Sequence, residues 1–313
     1  MPLKELQGRV AVAGPFDLEL SARLLCAPPR AGRDWSAAGD YWHGREYRRV
    51  VWWTGQPALL RLSNRGSIDN PNLGWRLTGA SRDSDYAPHT VTGVASRVRA
   101  MVSADTDLAA CYASFRGDPV LEPLTQRFCG LRVLRFPSLY ECLVATILEQ
   151  QLNFWFAAQV KRQLYTAFGP EVEFEGHRYR GVPAPAVLAG LTPEALRPLQ
   201  VSAPKARALA AMARAALAGE LHPPSEHDAE AVIEHLMRLR GVGRWSAAYA
   251  RLRGLGHTDA LPLQDAGLLR SVTLLYGSRT SLTPQALERK WRRLAPWRGY
   301  AAYYIWLTQW TQE

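Results

Sequence analysis

The segment LMRLRGVGRWSAAY, residues 236–249, has the pattern of a helix, a tight turn and a second helix. Its two glycines, Gly241 and Gly243, permit positive φ angles and a close approach of another molecule to the backbone. The first amides of the helix that begins at Arg244 point over the turn, and such amides bind anions together with the helix dipole. The sequence therefore predicts an anion site at Gly241, Gly243, Arg244 and Ser246.

The positive charge of the chain is concentrated around this segment. The net charge is +10, and residues 238–298 hold twelve Lys and Arg against three acids, so this window alone carries +9. A local basic field of this kind is what a polyanion-binding face requires. An ordinary helix–turn–helix corner could have the same two glycines, but it would not explain the charge. We therefore predict that the bound anion is a phosphate of nucleic acid, held without sequence preference.

A single carboxylate follows in the segment LPLQDAGLLR, residues 261–270. Leu268, Leu269 and Val272 recur after Asp265 at helical spacing, so Asp265 stands at a helix start, where the dipole stabilises an anion. A carboxylate fixed in this way can stabilise a developing positive charge and orient or deprotonate water. A plain N-cap is the structural alternative for Asp265.

These motifs together resemble the helix-hairpin-helix superfamily of DNA glycosylases, in which a glycine-rich hairpin is followed by an aspartate. The segment ATILEQQLN, residues 145–153, is similar to the minor-groove wedge of that superfamily. The segment WRGYAAYYIW, residues 297–306, is similar to the C-terminal helix of the bacterial 3-methyladenine DNA glycosylase II (AlkA) group. The segment GPFD, residues 14–17, resembles that group's extra N-terminal domain. The resemblance spans most of the chain.

The resemblance implies that Asp265 is catalytic and that Trp245, Tyr249 and Trp306 line the base pocket. Stacking and cation–π attraction would suit an alkylated, cationic purine there. Packing in the core is the alternative for the C-terminal aromatics, and Tyr303 is the weakest pocket candidate. A bifunctional member would carry a lysine at the position of Trp245, so the sequence predicts water attack without a Schiff base.

Extrusion of a base leaves a gap in the duplex that a protein side chain fills. Gln151 and Leu152 are the wedge candidates, although the AlkA group has an apolar residue at the position of Gln151. Leu24 stands where that group tends to have a pocket aromatic, and Gly267 is a small residue beside the carboxylate. These departures predict a pocket of different shape.

The resemblance also implies a cation site in the hairpin. A monovalent ion, Na⁺ or K⁺, would be held there by main-chain carbonyls of Met237, Leu239 and Val242. We expect no other cofactor.

The predicted fold is α+β, with an antiparallel sheet domain over residues 1–98 and two mainly helical lobes. One lobe comprises residues 99–137 with 257–313 and carries the aspartate, and the other comprises residues 138–256 and carries the wedge and the hairpin. Ser138 and Glu141 form a capping-box pattern. Residues 90–95 read as a strand and residues 170–190 as a loop.

The sequence lacks several features that are typical of membrane and secreted proteins. No apolar run reaches the ~20 residues of a membrane helix, and residues 1–8 lack a signal pattern. The four cysteines are widely separated, which favours reduced thiols. We therefore expect a monomeric, cytoplasmic, nucleoid-associated bacterial protein.

The predicted function is excision of alkylated purines, of the 3-methyladenine and 7-methylguanine type, from duplex DNA. The enzyme would flip the base and hydrolyse the N-glycosidic bond as the first step of base excision repair. Two alternatives remain at this point: an 8-oxoguanine or other damaged-base glycosylase on the same fold, and a non-catalytic protein that binds damaged DNA.

Overall fold

The computed structural model describes residues 4–23, 25–26, 39–79, 88–223, 225 and 228–310. Its N-terminal part is a five-stranded antiparallel sheet in the order β1-β5-β4-β3-β2. Two helices share the hydrophobic core of this sheet, which we call the sheet core. In chain order these elements are β1 (Lys4–Val10), α1 (Leu18–Arg23), β2 (Tyr41–His43), β3 (Glu46–Trp53), β4 (Gln56–Asn64), β5 (Leu73–Gly79) and α2 (Pro88–Met101).

The rest of the described chain is mainly helical and has two hydrophobic cores. One core surrounds α5 and the other surrounds α14. In chain order the elements are α3 (Leu108–Phe115), α4 (Leu121–Arg127), α5 (Leu139–Glu149), α6 (Phe154–Phe168), β6 (Glu171–Phe174), β7 (His177–Arg180), α7 (Pro185–Ala189), α8 (Pro193–Leu196), α9 (Ala203–Leu217), α10 (Ala229–Met237), α11 (Arg244–Ala250), α12 (Ala266–Leu275), α13 (Pro284–Lys290) and α14 (Arg298–Trp310). A π-helical turn, Arg251–Leu255, follows α11 directly.

This architecture confirms the predicted fold class, an N-terminal antiparallel sheet with mainly helical parts after it. The three predicted domain boundaries stay a prediction. Among the described residues, no helix combines the length and the apolar character needed to cross a membrane.

A buried ion-pair network joins α5 to the sheet. The guanidinium of Arg49 on β3 donates to Glu141 Oε2 at 2.8 Å and to Asp40 Oδ1 at 2.6 Å. Burial raises the pKa of the Glu141 carboxyl, and the charge of Arg49 opposes that shift. The capping box is therefore only half correct. Ser138 Oγ accepts from the amide of Glu141 at 3.2 Å, whereas the Glu141 carboxylate contacts the sheet.

Two local predictions are wrong. Residues 90–95 lie in α2 because Val94, Val98 and Met101 are buried at helical spacing, which outweighs the β propensity of the valines and threonines. Residues 171–180 form the β6–β7 hairpin rather than a loop. Its strands are short, and their apolar residues Val172, Phe174 and Tyr179 pack in one small cluster. They turn at Glu175 and Gly176, both at positive φ.

Candidate active site

The hairpin between α10 and α11 has two glycines in different conformations. Gly241 has φ of +86°, and a Cβ at this position would lie 2.4 Å from the Cβ of Ala208 on α9. Gly243 has extended backbone, with φ of −98° and ψ of 179°, and a Cβ there would meet nothing within 4 Å. The prediction of positive φ is right for Gly241 and wrong for Gly243. Gly243 instead leaves open space over the first amides of α11.

The glutamine at the C-terminal end of α5 connects this helix to the hairpin. Gln150 Nε2 donates to the carbonyl of Gly241 and to Ser246 Oγ, both at 2.8 Å. Ser246 is only 2% exposed. The predicted phosphate contact of Ser246 can therefore involve its amide but not its side chain, because the hydroxyl faces the protein interior. Sequence reasoning missed Gln150, which has no motif of its own.

Asp265 precedes α12 and is held by two donors. Its Oδ1 accepts from the amide of Leu268 at 2.6 Å, which makes it the N-cap. Its Oδ2 accepts from the indole N–H of Trp245 at 2.7 Å. One carboxylate oxygen therefore serves as the N-cap, and the other accepts from Trp245. The N-cap alternative and the catalytic prediction are compatible with each other. The structure brings Trp245 and Asp265 into direct contact, as the resemblance implied for two residues of one site.

The three predicted pocket aromatics form a contiguous wall beside this carboxylate. The rings of Trp245 and Tyr249 stack with centroids 5.6 Å apart and an interplanar angle of 19°. Trp306 lies 5.9 Å from Tyr249 at a tilted angle. Tyr249 packs against both the α5 core and the α14 core, so the wall lies where the two cores meet. Tyr303 is 1% exposed within the α14 core, which favours the packing alternative for that residue.

A buried arginine that sequence reasoning missed lies behind the aromatic wall. Arg253 donates from Nη1 to the hydroxyl of Tyr249 at 3.1 Å and from Nε to the carbonyl of Leu134 at 2.7 Å. Its guanidinium also lies 4.8 Å from the ring centroid of Phe136. Burial raises the pKa of the Tyr249 hydroxyl well above its ordinary value, so the phenol stays neutral. Arg253 thus fixes the orientation of the Tyr249 ring.

The two wedge candidates differ in orientation and burial. Gln151 follows α5, has φ of +56° and is exposed. Leu152 is partly buried against the α5 core. The ammonium of Lys205 donates to the carbonyls of Leu148 and Gln150 at 2.8 and 2.7 Å, which closes the C-terminal end of α5. The departure noted at Leu24 lies outside the described residues.

The carbonyls suggested as cation ligands belong to the hairpin turn. The carbonyl of Leu239 accepts from the amide of Val242 at 3.1 Å, which leaves one lone pair for another partner. Neutral carbonyl oxygens are donors suited to an alkali cation, so Met237, Leu239 and Val242 are chemically compatible with that role. Within the described part of the chain, no group of three His, Cys, Asp or Glu side chains could hold a metal ion.

Only some of the basic residues in the window 238–298 lie on the surface of the protein. Arg251 and Arg253 are 9% and 5% exposed, so neither adds to a DNA-binding face. Arg238, Arg240 and Arg244 are exposed around the hairpin. Arg244 also forms an ion pair with Glu230 at 3.3 Å. Exposed positive charge therefore surrounds the turn, and the other exposed basic residues of the window lie on or after α12 and α13.

Comparison of the sequence with known proteins assigns the chain to a family. The sequence profile of the HhH-GPD superfamily of base excision DNA repair proteins matches residues 144–296, which include the hairpin and the aspartate. The DNA-3-methyladenine glycosylase of Bacillus subtilis is 33% identical over 210 residues, which are 64% of this chain and 67% of that protein. The chain belongs to this superfamily.

Two further relatives agree with this assignment. DNA-3-methyladenine glycosylase 2 of Escherichia coli is 32% identical over 180 residues, 58% of this chain and 61% of that protein. The 3-methyladenine DNA-glycosylase of Archaeoglobus fulgidus has the same fold, with a TM-score of 0.79 at 21% identity over 97% of this chain and 98% of that one. The predicted superfamily, and with it a DNA glycosylase of base excision repair, is confirmed. The site residues remain predictions.

The different surroundings of the two glycines lead to a stability prediction. We expect Gly241→Ala to reduce the free energy of unfolding by about 1–3 kcal/mol, because the new methyl group would face Ala208 from a left-handed backbone. Gly243→Ala should stay within about 0.5 kcal/mol of the wild type, because its Cβ would enter open space. Urea denaturation measures both. Equal stability of the two variants would contradict this assignment.

Proposed function

We propose that this protein is a monofunctional DNA glycosylase that excises alkylated purines, of the 3-methyladenine and 7-methylguanine type, from duplex DNA. The observation that carries the proposal is the hydrogen bond between Trp245 and Asp265. It puts an oriented carboxylate at the edge of an aromatic wall, next to a hairpin with open amides. The named activities of the two bacterial relatives support the same substrate class.

Asp265 would act on the sugar rather than on the base. As the N-glycosidic bond breaks, its electron pair leaves with the purine, and C1′ of the deoxyribose becomes cationic. The anionic carboxylate stabilises that charge, and its two hydrogen-bond donors prevent it from turning away. Water then adds to C1′ and loses a proton to Asp265 or to solvent. An alkylated purine that already carries positive charge is a good leaving group, so no strong general acid is required.

The aromatic wall would select the base. Trp245, Tyr249 and Trp306 offer π faces, and a cationic purine gains both stacking and cation–π attraction from them. Gln151 is the better candidate for the side chain that fills the gap, because it is exposed whereas Leu152 packs inward. The lesion range would then depend on the ring positions that Arg253 and Asp265 hold.

The hairpin would hold the DNA backbone. We propose a phosphate contact with the amides around Gly241, Gly243 and Ser246 and with the Arg244 side chain, because Gly243 leaves the approach open. A monovalent cation on the carbonyls of Met237, Leu239 and Val242 would supply further positive charge at that contact. The protein would act on DNA as a monomer.

The proposal that the enzyme lacks lyase activity rests on where its lysines lie and what they contact. Trp245 occupies the position at which a bifunctional enzyme would carry its amine. The Lys205 ammonium is bound by two carbonyls of α5, and the Lys290 ammonium lies 3.9 Å from the ring centroid of Tyr276. Both lysines are therefore engaged in structural contacts.

Asp265→Asn should separate the cap from the catalyst. Asparagine is an equally good N-cap, so the bond from the Leu268 amide is kept, but its NH2 group cannot accept from the Trp245 indole and the melting temperature should fall slightly. The single-turnover rate of base release from a duplex with 7-methylguanine should fall by at least about 100-fold, because the charge is lost. Asp228→Asn, at the N-cap of α10, is the matched control and should keep the wild-type rate. No release by the wild type would refute the enzyme, and full activity of Asp265→Asn would refute this role.

Trp245→Phe tests the indole hydrogen bond. Phenylalanine keeps a ring against Tyr249 but cannot donate to Asp265. A hydrogen bond to a charged group contributes about 1.5–3 kcal/mol, so kcat should fall roughly 10- to 100-fold. The affinity for undamaged duplex should not change. Trp306→Phe controls for ring size, and an unchanged kcat in Trp245→Phe would show that the contact does not position the carboxylate.

The product of the reaction should be an intact strand with an abasic site. We expect breakage only after alkali treatment, and borohydride should trap no covalent complex, because a tryptophan stands where a bifunctional enzyme would carry its imine-forming lysine. Gel electrophoresis with and without alkali gives the first readout and denaturing protein gels give the second. A trapped complex would refute the monofunctional proposal. Loss of trapping in Lys205→Arg would then identify Lys205 as the amine.

A further inference from the structure

A basic groove of about 370 Å³ lies beside the hairpin, between α9 and the turn that joins α7 to α8. Its charged lining consists of Arg207 and Arg214 from α9 and Arg240 from the hairpin turn, and its other lining residues are neutral. All three arginines are exposed. We call this feature the α9 groove.

The α9 groove is continuous with the hairpin. The Cβ that Gly241 lacks would lie 2.4 Å from the Cβ of Ala208, so the turn rests directly on α9. Arg207 and Arg240 are the chain neighbours of the two residues in that contact. A molecule that binds at the hairpin and extends along α9 would therefore contact Arg207 first and Arg214 two helical turns later.

The charges of the α9 groove are arranged for an anion. Residues 203–217 of α9 contain three basic residues and no acid. One of the three, Lys205, donates to a carbonyl at the end of α5. Arg214 donates from Nη1 to the carbonyl of Ala189 at 3.1 Å, which holds its guanidinium over the groove. None of the lining residues is acidic, and Glu194, next to the lining residue Pro193, is exposed and lies near enough to Arg207 for electrostatic interaction.

We propose that the α9 groove is a second binding site for the DNA backbone, which holds phosphates a few base pairs away from the phosphate at the hairpin. This inference rests on the proposed DNA-binding role of the hairpin. Residues seven apart on a helix are separated by about 10 Å along its axis, which is the length of about three base-pair steps. Guanidinium groups at that spacing can contact two phosphates of one strand, about three steps apart, without reading a base.

The first test is the salt dependence of binding to an undamaged 25-base-pair duplex. Each lost phosphate contact lowers the slope of log affinity against log salt by about 0.9. Arg207→Gln/Arg214→Gln should therefore bind more weakly at 50 mM salt and show a slope smaller by about 1.8. Arg65→Gln/Arg116→Gln removes the same charge from exposed positions near the sheet and on the α14 side, and it should keep the wild-type slope. Equal slopes in all three proteins would overturn the proposal.

A second variant should act in the opposite direction. Glu194→Gln removes the acid near Arg207, so it should strengthen binding about two- to threefold at 50 mM salt, with an effect that fades as salt screens it. A damaged fold cannot produce such a gain. Unchanged or weaker binding by Glu194→Gln would count against the α9 groove.

A series of shortened duplexes would locate the contact with the α9 groove along the DNA. The arm on one side of a fixed 7-methylguanine is trimmed one base pair at a time, and the wild type should lose affinity in a step when the arm no longer reaches the groove. Arg207→Gln/Arg214→Gln should lack that step. A step of equal size in both proteins would refute the second site. Failure of the proposed function is distinguishable, because the wild type would then release no base from the full-length duplex.

Discussion

The hydrogen bond from the indole of Trp245 to the carboxylate of Asp265 joins the two halves of the site. Trp245 belongs to the helix whose N-terminus forms the hairpin, and Asp265 caps a helix of the α14 core. The contact therefore links the part that would hold the backbone to the part that would act on the sugar. Because the same indole stacks on Tyr249, the position of the carboxylate and the shape of the proposed base pocket depend on one side chain.

Helix α5 keeps that arrangement in register with the rest of the chain. At its start, Glu141 pairs with Arg49 of the sheet, and at its end Gln150 holds the hairpin through the carbonyl of Gly241 and the hydroxyl of Ser246. Lys205 closes the last turn of the helix. The exposed Gln151 projects directly from this braced end. If Gln151 fills the gap in the duplex as proposed, it would need such a rigid support, because a flexible one would move before the stacked bases did.

The sequence predicts the hairpin and the helix after Asp265 because each of these two motifs rests on neighbouring residues. The spacing of glycines and leucines indicates the hairpin, and Asp265 is followed by a helix-like apolar pattern. The partners of polar side chains across the fold are not predictable in the same way. Glu141 looks like a capping residue and reaches Arg49, ninety-two positions away in the chain. Arg253 looks like part of a basic surface and is buried behind Tyr249. In both cases the tertiary environment, not the local pattern, decides which group the charge contacts.

The Arg49–Glu141 pair sets a limit on how the chain can be divided. Glu141 is buried against Arg49 of β3, so deletion of the sheet would remove its guanidinium partner and expose the start of α5. The sheet therefore supports α5, although the hairpin, the aspartate and the aromatic wall all belong to the helical part. A shortened version that lacks the sheet also lacks this contact between β3 and α5.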